Sequence, residues 1–339
     1  MQRKSLLYIG NKLSKKGVTV TSIETLGAFL EKEGYQVYTA SSKKNKILRL
    51  FDMLYAVLRY GTKSSAVLID TYSTQNFYFA VAVGNLCRLL RIPYIPILRG
   101  GDLPNRLVKS KIHSMKLFGG AKTNVAPSAY LLNAFTKQGF SNVTYIPNTI
   151  AIENYPFFLR KECRPRLLWV RSFAEIYNPD LALTVLESLI SEGIHAELCM
   201  VGPEKDGSLA RCKTISEAKK LPVRFTGKLS KEDWIRLSRE YDVFINTTNF
   251  DNTPVSVIEA MALGLPVIST KVGGVPYLIE DGEEGILVAP NDSSEFIIAI
   301  KKIVNDPPLA QTISVNARKK VEEFDWEKVK LKWFQLLDA

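Results

Sequence analysis

The chain of 339 residues predicts an α/β fold built from two Rossmann-like domains. Three observations carry that expectation. Short β-rich runs alternate with amphipathic helical patterns through both halves, the signature of βαβ units and a covered parallel sheet. One irregular, charged segment, IENYPFFLRKECRPR (152–166), interrupts the alternation once. The length suits two separate cores.

In the first half, SLLYIG reads as a strand and TSIETLGAFLEKEG as an amphipathic helix closed by Gly34, followed by the strand YQVYTA. NKILRLFDMLYAVLRY is a helix, AVLID a strand, FYFAVAVGNLCRLL a helix and YIPILRG a strand. PNRLVKSKIHSMKLF reads as one helix, with Arg106, Lys109, His113 and Lys116 on a solvated face opposite Val108, Ile112 and Met115. TNVAPS, a helix through Lys137 and VTYIPN complete the first domain. The second series runs RLLWVR, a helix from Pro179 to Ser191, AELCMVG, VRFTG, a helix from Lys231, DVFINT, a helix starting near Pro254 and stopping at Gly264, and PVIST. FDWEKVKLKWFQLLDA closes the chain as a helix.

Composition places the chain among soluble globular proteins, with 46% hydrophobic and 23% charged residues. The apolar run after the basic lead MQRKSLLYIG is too short for a signal peptide, and Asn85, Arg88, Arg91 and two prolines break the most apolar stretch. Four scattered cysteines read as reduced residues of a cytoplasmic protein. Charge is lopsided: residues 1–150 hold 21 Lys and Arg against 6 Asp and Glu, while the remainder is slightly acidic. A polyanionic partner for the first half follows, whether anionic membrane, phosphorylated substrate or nucleic acid. No RNA- or DNA-binding motif accompanies the charge, so nucleic acid is not expected.

Neither GxGxxG nor GxxxxGK[ST] occurs, so the dinucleotide and P-loop readings have no motif. Chemistry gathers instead in DNTPVSVIEAM and PVISTKVGGVPYLIEDGEEG. Val255, Ile258 and Ala262 have core spacing, which sets Glu259 at the edge of a buried stripe. Taken alone, that is an ordinary half-exposed glutamate. Beside it, Lys271 and the Gly273–Gly274 pair precede a helix start, and such glycines let the backbone approach a ligand while free amides face an anion. Glu259 could then accept both ribose hydroxyls, with the amides near Ser256 and Gly273–Gly274 facing a diphosphate. The composite matches a sugar nucleotide.

The residues Asp251 and Glu259, with AMALGLPVISTKVGGVPYLIEDGEEGILVAPND after them, resemble the donor-site signature of family 4 retaining glycosyltransferases, which have the GT-B fold. APSAYLLNAFTKQGFSNVTYIPNTI and LLWVRSFAEIYNPDLAL resemble the end of that family's first domain and the start of its second. The resemblance implies domains at 1–152 and 153–322, facing across a cleft, and a C-terminal helix (323–339) returning to the first. It implies that Glu259 holds the ribose, that Asp251, where the family usually has glutamate, contacts the transferred sugar, and that Arg171 binds the diphosphate. The lysine that the family supplies a few residues later is replaced here by Ile176, Tyr177 and Asn178. Gly17 falls on the family's glycine-containing loop. Arg99 stands near a position where many relatives have histidine, and Asp102 either binds the acceptor hydroxyl or caps the next helix.

The resemblance therefore implies a retaining transferase that moves a sugar from a UDP- or GDP-sugar to a hydroxyl of a saccharide or lipid-linked acceptor, in surface polysaccharide or glycolipid assembly. The leaving phosphate oxygen would help deprotonate the incoming hydroxyl on the same face. No cofactor is expected, and no metal, because no D-x-D occurs. A sugar-nucleotide-binding protein without transfer activity is the alternative. The expected location is cytoplasmic, peripheral on the inner face of the membrane, if KKNKILRLFDMLYAVLRY and PNRLVKSKIHSMKLF are surface-seeking helices; core helices flanked by solubilising lysines explain the same pattern. On the first reading, Lys43, Lys44, Lys46 and Arg49 form the membrane-facing charge.

Overall fold

The computed structural model describes residues 4–13 and 21–338. They form two units, Met1–Thr149 with Trp326–Ala339, and Ile150–Asp325.

The first unit runs β1 (Ser5–Ile9), α1 (Ser22–Lys32), β2 (Gln36–Ala40), α2 (Lys46–Tyr60), β3 (Ala66–Thr71), α3 (Phe77–Leu89), β4 (Tyr94–Leu98), α4 (Leu103–Lys109), α5 (Lys111–Gly119), β5 (Asn124–Ala126), α6 (Ala129–Lys137) and β6 (Val143–Tyr145). The strands form one parallel sheet in the order β2-β1-β3-β4-β5-β6. Alternate side chains serve opposite cores. Leu7, Ile9, Val67 and Ile69 join residues of α2, α3, α5 and α6. Leu6, Tyr8, Leu68 and Ile95 join α1 and the last helix. Covering on both faces makes β3, AVLIDT, buried throughout and explains its nearly unbroken apolar sequence.

Local chemistry sets the helix ends. Asn45 Oδ1 accepts from the amides of Ile47 and Leu48 at 2.9 and 3.2 Å, which starts α2. The single helix expected over 104–118 is two, because Ser110 takes φ −127°, ψ 45° between α4 and α5. The break also overturns the face assignment. Leu107, Leu117 and Phe118 are buried, while Val108, Ile112 and Met115 are exposed. His113 is exposed and packs edge-on to Tyr78.

The second unit runs β7 (Arg166–Val170), α7 (Pro179–Ser191), β8 (Glu197–Val201), α8 (Ser208–Ala218), β9 (Val223–Gly227), α9 (Lys231–Leu237), β10 (Val243–Asn246), α10 (Val255–Ala262), β11 (Val267–Thr270), α11 (Val275–Leu278), β12 (Ile286–Val288), α12 (Ser293–Asn305) and α13 (Pro307–Glu322). Its sheet is also parallel, in the order β12-β11-β10-β7-β8-β9. The chain thus winds outward from β7 through β9, then returns to pair β10 on the other side of β7. That reversal is a topological switch point.

The segment 152–166 is irregular, as expected, but firmly held. Arg160 is buried and donates to the carbonyls of Tyr241 (2.8 Å), Ser238 (2.7 Å), Phe158 and Gly264 (both 3.0 Å). Burial pushes its guanidinium down to about 10, with Asp242 opposing. Beyond it, α14 (Trp326–Asp338) belongs to the first unit. It buries Trp326, Val329, Trp333 and Leu337, one stripe at helical spacing, and Trp326 stacks on Phe29 with ring centroids 4.8 Å apart.

Candidate functional site

Three loops meet at the switch point of the second sheet. The chain leaves β7 into Arg171, β10 into the 247–254 loop, and β11 into Lys271 and Gly273–Gly274. Hydroxyls tie these loops together. Trp169 Nε1 donates to Thr247 Oγ1 at 3.0 Å, Thr247 Oγ1 donates to the Asn178 carbonyl at 2.8 Å, and Thr270 Oγ1 donates to the Thr248 carbonyl at 2.6 Å. Thr247 and Thr248 are fully buried, and sequence reading passed over both.

Two glycines allow the close approach. Gly202 has φ +153°, and a methyl there would overlap the Arg171 carbonyl. A methyl on Gly274 would overlap the Asn252 carbonyl oxygen, and the Gly274 amide donates to the Asp251 carbonyl at 2.9 Å. What the Gly273–Gly274 pair approaches is thus the protein's own Asp251–Asn252 backbone. Backbone cannot yield as a flexible side chain does, so Gly274→Ala is expected to destabilise the protein by about 3 kcal/mol or more. Urea unfolding measures it; a loss below about 1 kcal/mol would mean that the loop simply shifts.

Arg171 ion-pairs with Asp251 across the switch point, both side chains largely buried. Its guanidinium also lies over the Tyr177 ring, 4.2 Å from the centroid. The segment where the resemblance expects a lysine thus supplies an aromatic face. Burial pushes the Arg171 guanidinium below its ordinary value, with Tyr177 opposing. Arg171 Nε and Ser256 Oγ are buried and meet no hydrogen-bonding partner among the described residues. Buried polar atoms of this kind call for an explanation, and a ligand is one.

Glu259 departs from expectation. It is not at the edge of the stripe but 3% exposed, because α10 is buried on every side from Val257 to Ala262. Val255, whose spacing predicts a core position, is exposed. Glu259 Oε1 accepts from Tyr155 Oη at 2.8 Å and is ion-paired with Lys231 of α9. Burial, and after it the neighbouring Glu259, push the Tyr155 phenol far above its ordinary value. Lys231 is half exposed, so it is the partner that can swing away. Neither Tyr155 nor Lys231 was legible as a site residue. A glutamate inside an apolar helix is the only sequence signal that points toward them.

In the first unit, Arg99 is held rather than open. Its Nε donates to Asp70 Oδ1 at 3.1 Å and its Nη1 to Asn148 Oδ1 at 2.6 Å, while Tyr8 Oη donates to Asp70 Oδ1 at 3.0 Å. Burial pushes the Asp70 carboxyl up, with Arg99 pulling it back. Asp102 is exposed and precedes α4 without bonding its amides, accepting instead from the Asn105 side chain at 2.5 Å. Lys271 is exposed. Gly17 lies outside the described residues. Among the described residues no group of three or more His, Cys, Asp and Glu side chains could hold a metal ion.

Residues 152–320 match the family model described as "Glycosyl transferases group 1". Sulfoquinovosyl transferase SQD2 of Arabidopsis thaliana is 29% identical over 31% of this chain, and the match spans 21% of that relative's length. Sucrose-phosphate synthase from Thermosynechococcus elongatus superposes with a TM-score of 0.80 at 18% identity, covering 98% of both chains. The HepE protein of Anabaena, solved in complex with UDP, superposes with a TM-score of 0.78 at 17% identity, covering 99% of this chain and all of the other. The two parallel six-stranded sheets are those of the GT-B fold. With residues 152–320 carrying the match, the chain belongs to the group 1 glycosyl transferases.

Proposed function

We propose that the protein is a metal-independent retaining glycosyltransferase that moves a sugar from a nucleoside-diphosphate sugar, UDP- or GDP-linked, to an acceptor hydroxyl. The acceptor class is a saccharide or a lipid-linked saccharide, as in surface polysaccharide or glycolipid assembly. One observation carries the reading: the switch point between β7 and β10 presents buried polar atoms, Arg171 Nε and Ser256 Oγ, without hydrogen-bonding partners among the described residues, within the stretch matched by the family model. Open α/β sheets bind ligands at that place.

The roles follow from position. Arg171, the Ser256 hydroxyl, Lys271 and the Gly273 amide face the diphosphate, while Gly274, whose amide is spent on the Asp251 carbonyl, shapes the loop. Glu259 takes the ribose hydroxyls once Lys231 withdraws. Asp251, freed from Arg171, faces the transferred sugar, Gly17 serves donor binding, and Arg99 and Asp102 act with the acceptor. The acceptor oxygen forms its bond on the face that the phosphate oxygen leaves, and the hydroxyl proton passes to that leaving oxygen. The protein supplies positioning and charge stabilisation.

UDP heads the list of ligands to test because the similar HepE structure holds it. In thermal unfolding with UDP-, GDP- and ADP-sugars, one nucleotide class should raise Tm. At a hundredfold excess over Kd the stabilisation is about 2.7 kcal/mol. EDTA should leave turnover intact, and the product should keep the donor's anomeric configuration by NMR. No shift with any nucleotide sugar would overturn the donor assignment. A shift without turnover on any saccharide or lipid-linked acceptor would favour binding without transfer.

A further inference from the structure

We infer that one face of the first unit, formed by α2, α4 and α5, docks on an anionic lipid bilayer. The inference goes beyond the transfer reaction and needs neither donor nor acceptor. Its starting point is an inversion of burial. On α2, Ile47, Phe51, Tyr55 and Leu58 recur at helical spacing and are 56–67% exposed, while Met53, Ala56 and Val57 form the core side. On α5, Ile112 and Met115 are also exposed. The two helices flank α3, which packs against both, so their outer surfaces lie on the same side of the sheet. These exposed apolar residues are therefore not core residues fringed by lysines. They make an extended apolar surface, larger than the scattered single residues that any protein exposes.

Charge selects the occupant. Between Glu33 and Glu153 the chain has fifteen Lys and Arg residues and three acids, Asp52, Asp70 and Asp102. Asp70 is buried, and Asp52 accepts from Ser41 Oγ at 2.5 Å. Exposed Lys43, Lys44, Lys46, Lys109 and Lys111 rim the apolar residues. A second copy of the chain would set these cations against each other. Nucleic acid would leave the isoleucine, leucine and methionine side chains unused. An anionic bilayer takes both components, with the apolar face entering the headgroup boundary and the lysines among lipid phosphates. Arg49 is not part of this surface. It is buried, donating to the carbonyls of Lys43 (2.8 Å) and Lys44 (3.0 Å), so it holds the turn that presents the lysines. Among the described residues no helix is long and apolar enough to cross a membrane, so attachment through this face is peripheral.

Co-sedimentation of the full chain with vesicles tests the inference. The protein should pellet with phosphatidylglycerol-containing vesicles at low salt, return to the supernatant at high salt, and ignore pure phosphatidylcholine. Lys43→Glu/Lys44→Glu/Lys109→Glu should lower the partition coefficient about a hundredfold or more. Ile47→Ser/Phe51→Ser/Leu58→Ser, with all charges kept, should also lose attachment. Circular dichroism and the Tm shift given by UDP should match wild type in both variants, which separates this test from that of the donor site. Failure of the wild type to bind anionic vesicles at low salt would overturn the inference. So would unchanged binding by the serine variant, because charge alone would then account for it. A concentration-dependent dimer that the serine variant abolishes, with vesicles ignored, would assign the face to a second copy. Retention by duplex DNA or RNA in place of vesicles would assign it to nucleic acid.

Discussion

Arg171→Ala is expected to weaken binding of UDP, or of whichever diphosphate the panel identifies, by about a hundredfold, and to leave binding of the bare nucleoside unchanged. The loss corresponds to one or two charge-assisted hydrogen bonds at about 1.5–3 kcal/mol each. Stability should fall as well, by about 3 kcal/mol, because the substitution strands the Asp251 carboxylate in a largely buried position. The two effects are separable. Arg171→Ala/Asp251→Ala removes the stranded charge and should regain most of the stability while diphosphate binding stays weak. Calorimetric titration with diphosphate and nucleoside, alongside urea unfolding, distinguishes the outcomes. Diphosphate affinity equal to wild type in the single variant would remove Arg171 from the donor site and leave it only the pairing with Asp251.

Glu259→Gln should reduce donor affinity and kcat/KM together by about thirtyfold, near 2 kcal/mol, the scale of a charge-assisted hydrogen bond to a sugar hydroxyl. Folding should be nearly unaffected. Glutamine keeps an oxygen for Tyr155 Oη, and Lys231 is half exposed, so losing its ion partner is worth about 1 kcal/mol or less. A large fall in Tm with intact donor kinetics would instead make Glu259 a purely structural residue that anchors Tyr155 and α9.

The strands were legible because parallel sheets covered on both faces leave continuous apolar runs, as in AVLIDT, and the alternation with helical periods then gives the fold class. The break at Ser110 was not, because one residue in a non-helical conformation rotates everything after it while leaving the apolar spacing superficially helical. Hence Ile112 and Met115 were placed on the wrong side. For Glu259 the local pattern gave the right helix and the wrong depth. Its side chain meets Tyr155, from a segment that reads as irregular, and Lys231 of α9, and neither contact can be read from an eleven-residue window. Asp70 went unread for a similar reason. A lone acid closing an apolar strand looks like a strand end, and only the fold brings Tyr8 and Arg99 to it. The glycine pair at 273–274 was found, but its contact with the Asp251–Asn252 backbone depends on two loops brought together by the sheet order.

The place of α14 bears on how the chain comes off the ribosome. Residues 5–149 emerge first, yet one side of their sheet, around Leu6, Tyr8, Leu68 and Ile95, is completed by Trp326, Val329, Trp333 and Leu337. The whole of the intervening unit must be translated before that cover arrives, about 10–40 s at ordinary elongation rates. During that interval the nascent first unit shows an unfinished apolar side, while the second, whose residues are contiguous from Ile150 to Asp325, can close without waiting. The order of completion is therefore the reverse of the order of synthesis.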